Sequence, residues 1–435
     1  MRGLACCPDS LWRIQGGRIM SATLMSETLR YEAGLCSSSD CRVMFQPSWA
    51  GCEVEVHSSV ERMFGPAIEA LAREMLEAYG VTRGHLLIED DGALEPVLAA
   101  RIETVLRVAG FESQSEQRSA RTALRFCKVE NREPGRKDRV RWARLYLPGN
   151  QPNFMINADS FGADMLVFDL EDSVPPDRKL EARILVRNML CSSILFKKSE
   201  LAVRINPLRG SCGKEDLEEV LGAKPHAIVL PKTASALDVQ QLDEELSRLE
   251  GKYGITKGSV LIMPLIETAE GVLAAREIAG ASHRNAALLF GYEDFMTDIH
   301  ARQDAVLDNG LVQSSQLGAL LARQMIVLAA RVCGIEPLDS VIADISDNEA
   351  LKRSCAEARQ IGMGGKAAIH PMQIPTIRAC FAPSEQDIAW ARGIVEAYEK
   401  SMSEGKGTAV QASSMIDAPV VARARRILQE AENKD

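Results

Sequence analysis

"FDLEDSVPPDRK", residues 168–179, carries an apolar run straight into three carboxylates, Asp169, Glu171 and Asp172, and then into a proline-rich turn. With "ADMLV" before it, the stretch reads as a short buried strand that ends in charge. The same handover recurs from about residue 140 onward. The runs "ARLYLPG" (143–149), "ADMLVFDLED" (163–172), "LAVRINP" (201–207), "AIVLPKT" (227–233), "VLIMPLIET" (260–268), "AALLFGYEDF" (286–295), "SVIADIS" (340–346) and "KAAIHP" (366–371) alternate with helical stretches. Eight strand–helix units in roughly 240 residues predict a (β/α)8 TIM barrel, with a seven-strand doubly wound sheet as the competing architecture.

The N-terminal part has a different rhythm. "CRVMFQP" (41–47) and "CEVEVHS" (52–58) read as strands, and residues 60–79 as a helix whose apolar stripe includes Val60, Met63, Phe64, Ile68, Leu71 and Met75. "HLLIEDDGAL" (85–94) is a further strand, and 94–110 a second amphipathic helix closed by Gly110. Residues 112–139 are charged and poor in periodic apolar positions, so they read as a linker. The expected plan is an extension over 1–25, a small α+β domain over 26–111, the linker, and a barrel with a C-terminal helical extension over 140–435.

At 435 residues the chain suits two domains. The net charge of −9 argues against nucleic acid or an anionic membrane surface as partner, and no apolar run is long enough to span a bilayer. The 11 cysteines show no zinc-type spacing and suit reduced thiols in a cytoplasm.

In a barrel of this type the chemistry sits where the strands end. The strand-terminal polar residues are Asp169, Glu171, Asp172, Arg204, Asn206, Lys232, Glu267, Glu293, Asp294, Asp344, Asp347 and His370. Carboxylates without His or Cys ligands suit a hard, oxygen-seeking ion such as Mg²⁺. Glu267 and Asp294, on consecutive units, form the expected metal pair. Read only as structure, Glu267 would cap the next helix. Arg204 ends an apolar strand, where its planar fork would take a carboxylate or an enolate oxygen. Asp169 and Glu171 would orient it, or form a plain ion pair with it. A divalent ion and an arginine on one rim suggest carbon–carbon cleavage through a stabilised enolate. The base is left open between a metal-bound water and a carboxylate such as Asp344 from a neighbouring chain. Asn206, Lys232 and His370 are candidate substrate contacts.

The segments "LYLPGN", "VFDLEDSV", "VRIN", "VLPKT", "PLIET", "GYEDF", "IHPMQI" and "MIDAPVVARARRIL" together resemble the β subunit of citrate lyase, within a family of TIM-barrel lyases acting on CoA thioesters. That resemblance implies Mg²⁺-dependent cleavage of a citryl, malyl or citramalyl thioester. It places the metal on Glu267 and Asp294 and the substrate arginine on Arg204. The family's Arg-Ser pair before the first strand is replaced here by Trp142 and Ala143, while Arg141 remains as a candidate substrate contact.

"VEVHSSVERMFGPAIEALAREML" and "DDGALEPVLAARIETVL" resemble the citrate lyase acyl carrier, or γ, subunit. The resemblance implies a CoA-derived prosthetic group (phosphoribosyl-dephospho-CoA) on Ser38 in "AGLCSSSD" (33–40). It also implies a homo-oligomer and a citrate lyase α (transferase) subunit as partner. The expected function is a carrier–lyase fusion cleaving a citryl thioester to oxaloacetate and an acetyl thioester. The alternatives are a lyase for free malyl-CoA or citramalyl-CoA, and a non-catalytic carrier subunit.

Overall fold

The computed structural model describes residues 29–48, 51–112, 129, 132–192, 194–301, 316–403, 409–411 and 414–432. The expected extension over 1–25 and much of the charged stretch after residue 112 lie outside the described residues.

The N-terminal part runs β1 (Tyr31–Ala33), β2 (Cys41–Gln46), β3 (Cys52–Ser58), α1 (Glu61–Ala78), β4 (Gly84–Asp90) and α2 (Glu95–Val108). Its sheet has the order β1-β2-β4-β3, with β3 and β4 parallel and joined by α1. Helix α1 buries Ile68, Leu71, Ala72, Met75 and Leu76, while Met63 and Phe64 in its first turn stay exposed instead of joining the expected stripe. Helix α2 departs further from expectation. It is buried without a break from Pro96 to Leu106, because a barrel helix covers the face that an amphipathic helix would turn to water.

The barrel begins with β5 (Ala143–Pro148), α3 (Pro152–Met155), β6 (Met165–Asp169) and α4 (Lys179–Cys191). It continues through β7 (Glu200–Arg204), α5 (Ser211–Val220), β8 (Ala227–Leu230), α6 (Ala236–Tyr253), β9 (Leu261–Ile266) and the short helices α7 (Ala269–Leu273) and α8 (Ala275–Ala279). The last units are β10 (Ala287–Phe290), α9 (Tyr292–Asp298), α10 (Leu320–Val332), β11 (Glu336–Leu338), α11 (Asn348–Ile361), β12 (Lys366–Ala368) and α12 (Gln373–Phe381). The eight strands pair in parallel, and a bridge between Asp339 and Lys366 closes β11 onto β12. Met165, Val167, Ala202, Val229, Met263 and Leu289 fill the interior. The alternate residues Leu166, Phe168, Val203, Ile228, Ile262 and Leu288 pack outward on the helices. Both faces of each strand are therefore apolar, as a period of two inside a helix-covered barrel requires.

One strand is displaced from its expected place. "SVIADIS" does not form the seventh strand; the preceding "EPL" does. Asp339 leaves β11 to bridge Lys366, and residues 340–346 become the loop above it. Beyond the barrel, α13 (Glu385–Ser403) and α14 (Ala418–Glu432) pack on each other as a helical hairpin.

The two parts meet through buried charge. Arg101 of α2 is fully buried and forks onto Asp40 at 2.9 Å through Nε and Nη2, while Nη1 pairs with Glu181 of α4. Arg187 of α4 reaches back to Glu103, and the Asn188 side chain donates to the Pro96 carbonyl at 3.1 Å. Each charge taken from water here has a matched partner, the condition under which burial is tolerated. The end of the expected linker is also held. Arg132 donates to the Leu190 carbonyl at 2.6 Å and the Ala223 carbonyl at 2.7 Å, and Gly135 N–H donates to Ser259 at 3.0 Å. The N-terminal part is thus docked on the barrel.

Candidate active site

Strand register brings the first two partners together. Asp169 and Arg204 are cross-strand neighbours at the ends of β6 and β7. Arg204 Nε and Nη2 donate to the two Asp169 carboxylate oxygens at 2.7 and 2.8 Å, a two-pronged contact suited to guanidinium geometry. Arg204 Nη1 lies 3.2 Å from Glu171, and the ring of Tyr146 sits 5.4 Å from the guanidinium carbon. Burial alone would raise the Asp169 carboxyl, but the Arg204 hydrogen bonds outweigh it and hold the group below its ordinary value.

Lys232 joins this cluster from the end of β8. Its backbone takes φ of +50°, rare for a residue with a side chain, and its two donors then serve two carboxylates. The backbone N–H donates to Glu267 at 2.7 Å, and Nζ donates to Glu171 at 2.6 Å. Asp172 lies 3.6 Å from both Arg204 and Lys232. Glu171 is pushed up to about 7 by burial and by its hydrogen bond to Asp172, against the pull of Arg204 and Lys232.

Glu267 ends β9 at 2% exposure. Burial first, and the Asp294 charge second, push its carboxyl up to about 8. Thr268, rather than Glu267, caps the next helix by accepting from Gly271 N–H at 3.1 Å. A side chain at Gly291 would come within 2.5 Å of Glu267 Oε2, so glycine there makes room for the carboxylate. The Asp294 charge bears on Glu267, and a cation held by the two carboxylates would offset it. Among the described residues no three His, Cys, Asp or Glu side chains converge as a closed metal cage. A pair of carboxylates completed by water or substrate oxygens would suit Mg²⁺, which is commonly held in that manner.

These groups open on a cavity of about 420 Å³. Asp169, Asp172, Arg204, Glu267, Glu293, Asp294, Tyr146, Ser340 and Arg144 line it. Tyr146 and Arg144 were absent from the strand-end candidates, although counting back by two from Pro148 puts both on the inward face of β5.

Six candidates fall elsewhere. Asn206 is buried beneath the rim, its side chain donating to the Leu170 carbonyl and to Asp216. Arg141 lies at the opposite end of the barrel, with Nε and Nη2 on Glu200 at 2.6 and 2.7 Å and its remaining hydrogens on main-chain carbonyls. Asp344 is exposed on the loop after β11 and accepts from Ser346, while neighbouring Asp347 caps α11 through Ala350 N–H. His370 accepts from Met372 N–H at 3.2 Å and does not line the cavity. Ser38 is exposed in the Gly34–Asp40 loop, which the Gly34 N–H ties to Glu181 at 3.2 Å.

Comparison with known proteins agrees with this geometry. The profile described as HpcH/HpaI aldolase/citrate lyase matches residues 143–371, and that described as malonate decarboxylase delta subunit matches residues 29–109. The chain is 35% identical over 297 residues to citrate lyase subunit beta of Escherichia coli K12, covering 68% of this chain and 95% of that protein. It is 33% identical over 314 residues to the L-malyl-CoA/beta-methylmalyl-CoA lyase of Rhodobacter capsulatus, covering 69% and 97%. Among solved structures, CitE from Mycobacterium tuberculosis in complex with magnesium, acetoacetate and coenzyme A aligns with a TM-score of 0.55 and 28% identity, over 68% of this chain and 99% of that one. An eight-stranded parallel barrel, an arginine and acidic cluster at its rim, and these relatives lead to one assignment: the chain belongs to the HpcH/HpaI aldolase/citrate lyase family, as a carbon–carbon lyase of the citrate lyase β and CoA-thioester lyase type joined to a carrier-like domain.

Proposed function

We propose that this chain is a carrier–lyase fusion that cleaves a citryl thioester to oxaloacetate and an acetyl thioester, with the acyl group on a phosphoribosyl-dephospho-CoA arm at Ser38. The observation that supports it best is the fixed position of the Ser38 loop. Gly34 binds Glu181 at the start of α4, and Arg101 binds Asp40, Glu181 and the Asn150 carbonyl on the loop after β5. Both barrel segments follow the ends of strands, on the side where the cavity opens. An arm anchored there reaches the site of its own chain at an effective concentration on the order of millimolar or above.

Glu267 and Asp294 are the residues that would hold Mg²⁺, and the ion supplies Lewis-acid polarisation of substrate oxygens when bound. Arg204, oriented by Asp169, would take the oxygen on which negative charge develops. As a general base takes the 3-hydroxyl proton, the oxygen's electron pair forms the new carbonyl and the adjoining C–C bond breaks. The hydroxyl carbon becomes the carbonyl of the keto acid, and the electron pair of the broken bond passes to the thioester enolate, which then takes a proton. Glu171 and Asp172 balance the Arg204 and Lys232 charges throughout.

Intact-mass measurement on protein from its native host tests the carrier role: a large mass addition that vanishes in Ser38→Ala is expected. An unmodified Ser38 under citrate-fermenting conditions would sink it. Full turnover of free malyl-CoA or citramalyl-CoA by Ser38→Ala would favour the CoA-thioester reading instead.

A further inference from the structure

Arg144 lines the cavity, and the mechanism above gives it no role. It sits on β5, which lies four strands from β9 in either direction round the barrel and so faces the wall that carries Glu267. It precedes Pro148 by four residues, roughly 13 Å below the rim at about 3.3 Å per residue. Its register partner on β12 is Ala367, small enough for the guanidinium to cross over it and donate from Nη2 to the Asp339 carbonyl at 2.8 Å. Nε and Nη1 have no partner among the described residues, although Arg144 is 1% exposed. No carboxylate side chain of the described residues binds it. Arg101 and Arg323, buried to the same degree, each fork onto an aspartate, and buried Arg141 forks onto a glutamate.

A buried guanidinium with two idle donors is costly unless an anion meets it. We propose that Arg144 is a carboxylate subsite at the floor of the cavity, selecting a keto-acid half that bears a second carboxylate besides the one next to its carbonyl. This rests on the lyase reading above and narrows its substrate class. A dicarboxylic product such as oxaloacetate satisfies both Arg144 donors. A product ending in hydrogen or methyl, glyoxylate or pyruvate, leaves them unpaired. Burial also draws the guanidinium down to about 10, which fits a cation lacking its counter-charge.

Oxaloacetate and pyruvate differ by one carboxylate, so titration calorimetry of each into the Mg²⁺-loaded full chain reads the subsite directly. Oxaloacetate is expected to bind 10–100-fold more tightly, the range for a charge-assisted hydrogen-bonded pair. Arg144→Met is expected to erase that preference while moving pyruvate affinity less than about twofold, a buried cation having been replaced by an apolar chain of similar length. Equal affinities in the unaltered protein would overturn the subsite while leaving the lyase reading intact, and need no variant to fold. An equal loss for both acids in Arg144→Met would do the same. Binding of neither acid would overturn the lyase reading and the subsite together.

Discussion

Strand β7 carries an ion pair at each end, and the two differ in what they leave open. At its start Glu200 accepts both prongs of Arg141, whose other hydrogens go to the carbonyls of Arg136, Lys137 and Arg139. That pair is saturated and its side chains are 0–1% exposed. At the other end Arg204 donates the same two-pronged grip to Asp169, but its side chain is 13% exposed and faces the cavity. It also pairs with Glu171, which binds Lys232, and shares the cavity wall with Glu267 and Asp294. One strand and one kind of contact thus serve two purposes. Satisfied on every side, an arginine–carboxylate pair fastens the strand; with one edge left to a cavity lined by crowded carboxylates, it becomes a place where charge can be received.

Alterations at the open end should strike binding and turnover, and those at the closed end stability. The largest effect is expected from Glu267→Gln. Mg²⁺ affinity by calorimetry should fall at least 100-fold and thioester cleavage about 1,000-fold, with thermal unfolding moved by only a few degrees. Retained metal binding would show that the like-charge pair is not the ligand set. Next comes Glu200→Ala at the closed end. It strands Arg141 without a counter-charge and should cost about 3–5 kcal/mol by denaturant unfolding, while Mg²⁺ affinity of the folded protein stays unchanged. A loss of turnover without a loss of stability would erase the contrast between the two ends. Arg204→Lys keeps the charge but not the fork, so kcat should fall about 10–100-fold with Mg²⁺ affinity held.

The smallest effect concerns His226, at the closed end before β8. Its Nδ1 accepts from Leu201 N–H at 2.8 Å, and burial, with nearby Arg132, Arg139 and Arg141, depresses the ring to about 4 from the ordinary 6.5. Between those two values the unfolded chain binds the proton more readily than the folded one. Stability therefore declines as pH falls from 6.5 toward 4, on the order of 1 kcal/mol for a partly exposed ring. Urea midpoints for His226→Asn should lose that part of the slope; an unchanged slope would place the pH dependence elsewhere.

Much of the site was readable before the fold was seen. Asp169, Glu171, Arg204, Lys232, Glu267 and Asp294 each stand at the end of an apolar run, and parallel barrel strands open their active groups at those ends. Misreadings arose where one-dimensional position says nothing about direction. Asn206 and Arg141 lie beside strand ends yet point under the rim or toward the base. Asp344 and Asp347 seemed strand-terminal only because "SVIADIS" is more apolar than "EPL", although closure of the barrel through Asp339 and Lys366 selects the latter. Helix α2 has a pattern that would suit one solvated face; contact with α4 overrode it.

The order of apolar runs and their charged ends by itself determined the barrel, the carrier-like domain and most of the cavity rim, because burial period and strand termination are local properties of a chain. Tertiary structure alone decided three things. It docked α2 on α4 through Arg101 and Arg187, it put Lys232 in a backbone conformation that serves two carboxylates, and it turned Arg144 inward with two donors unpaired. Each depends on which residues meet across the closed barrel or the domain interface, and those meetings join positions from 35 to 195 residues apart.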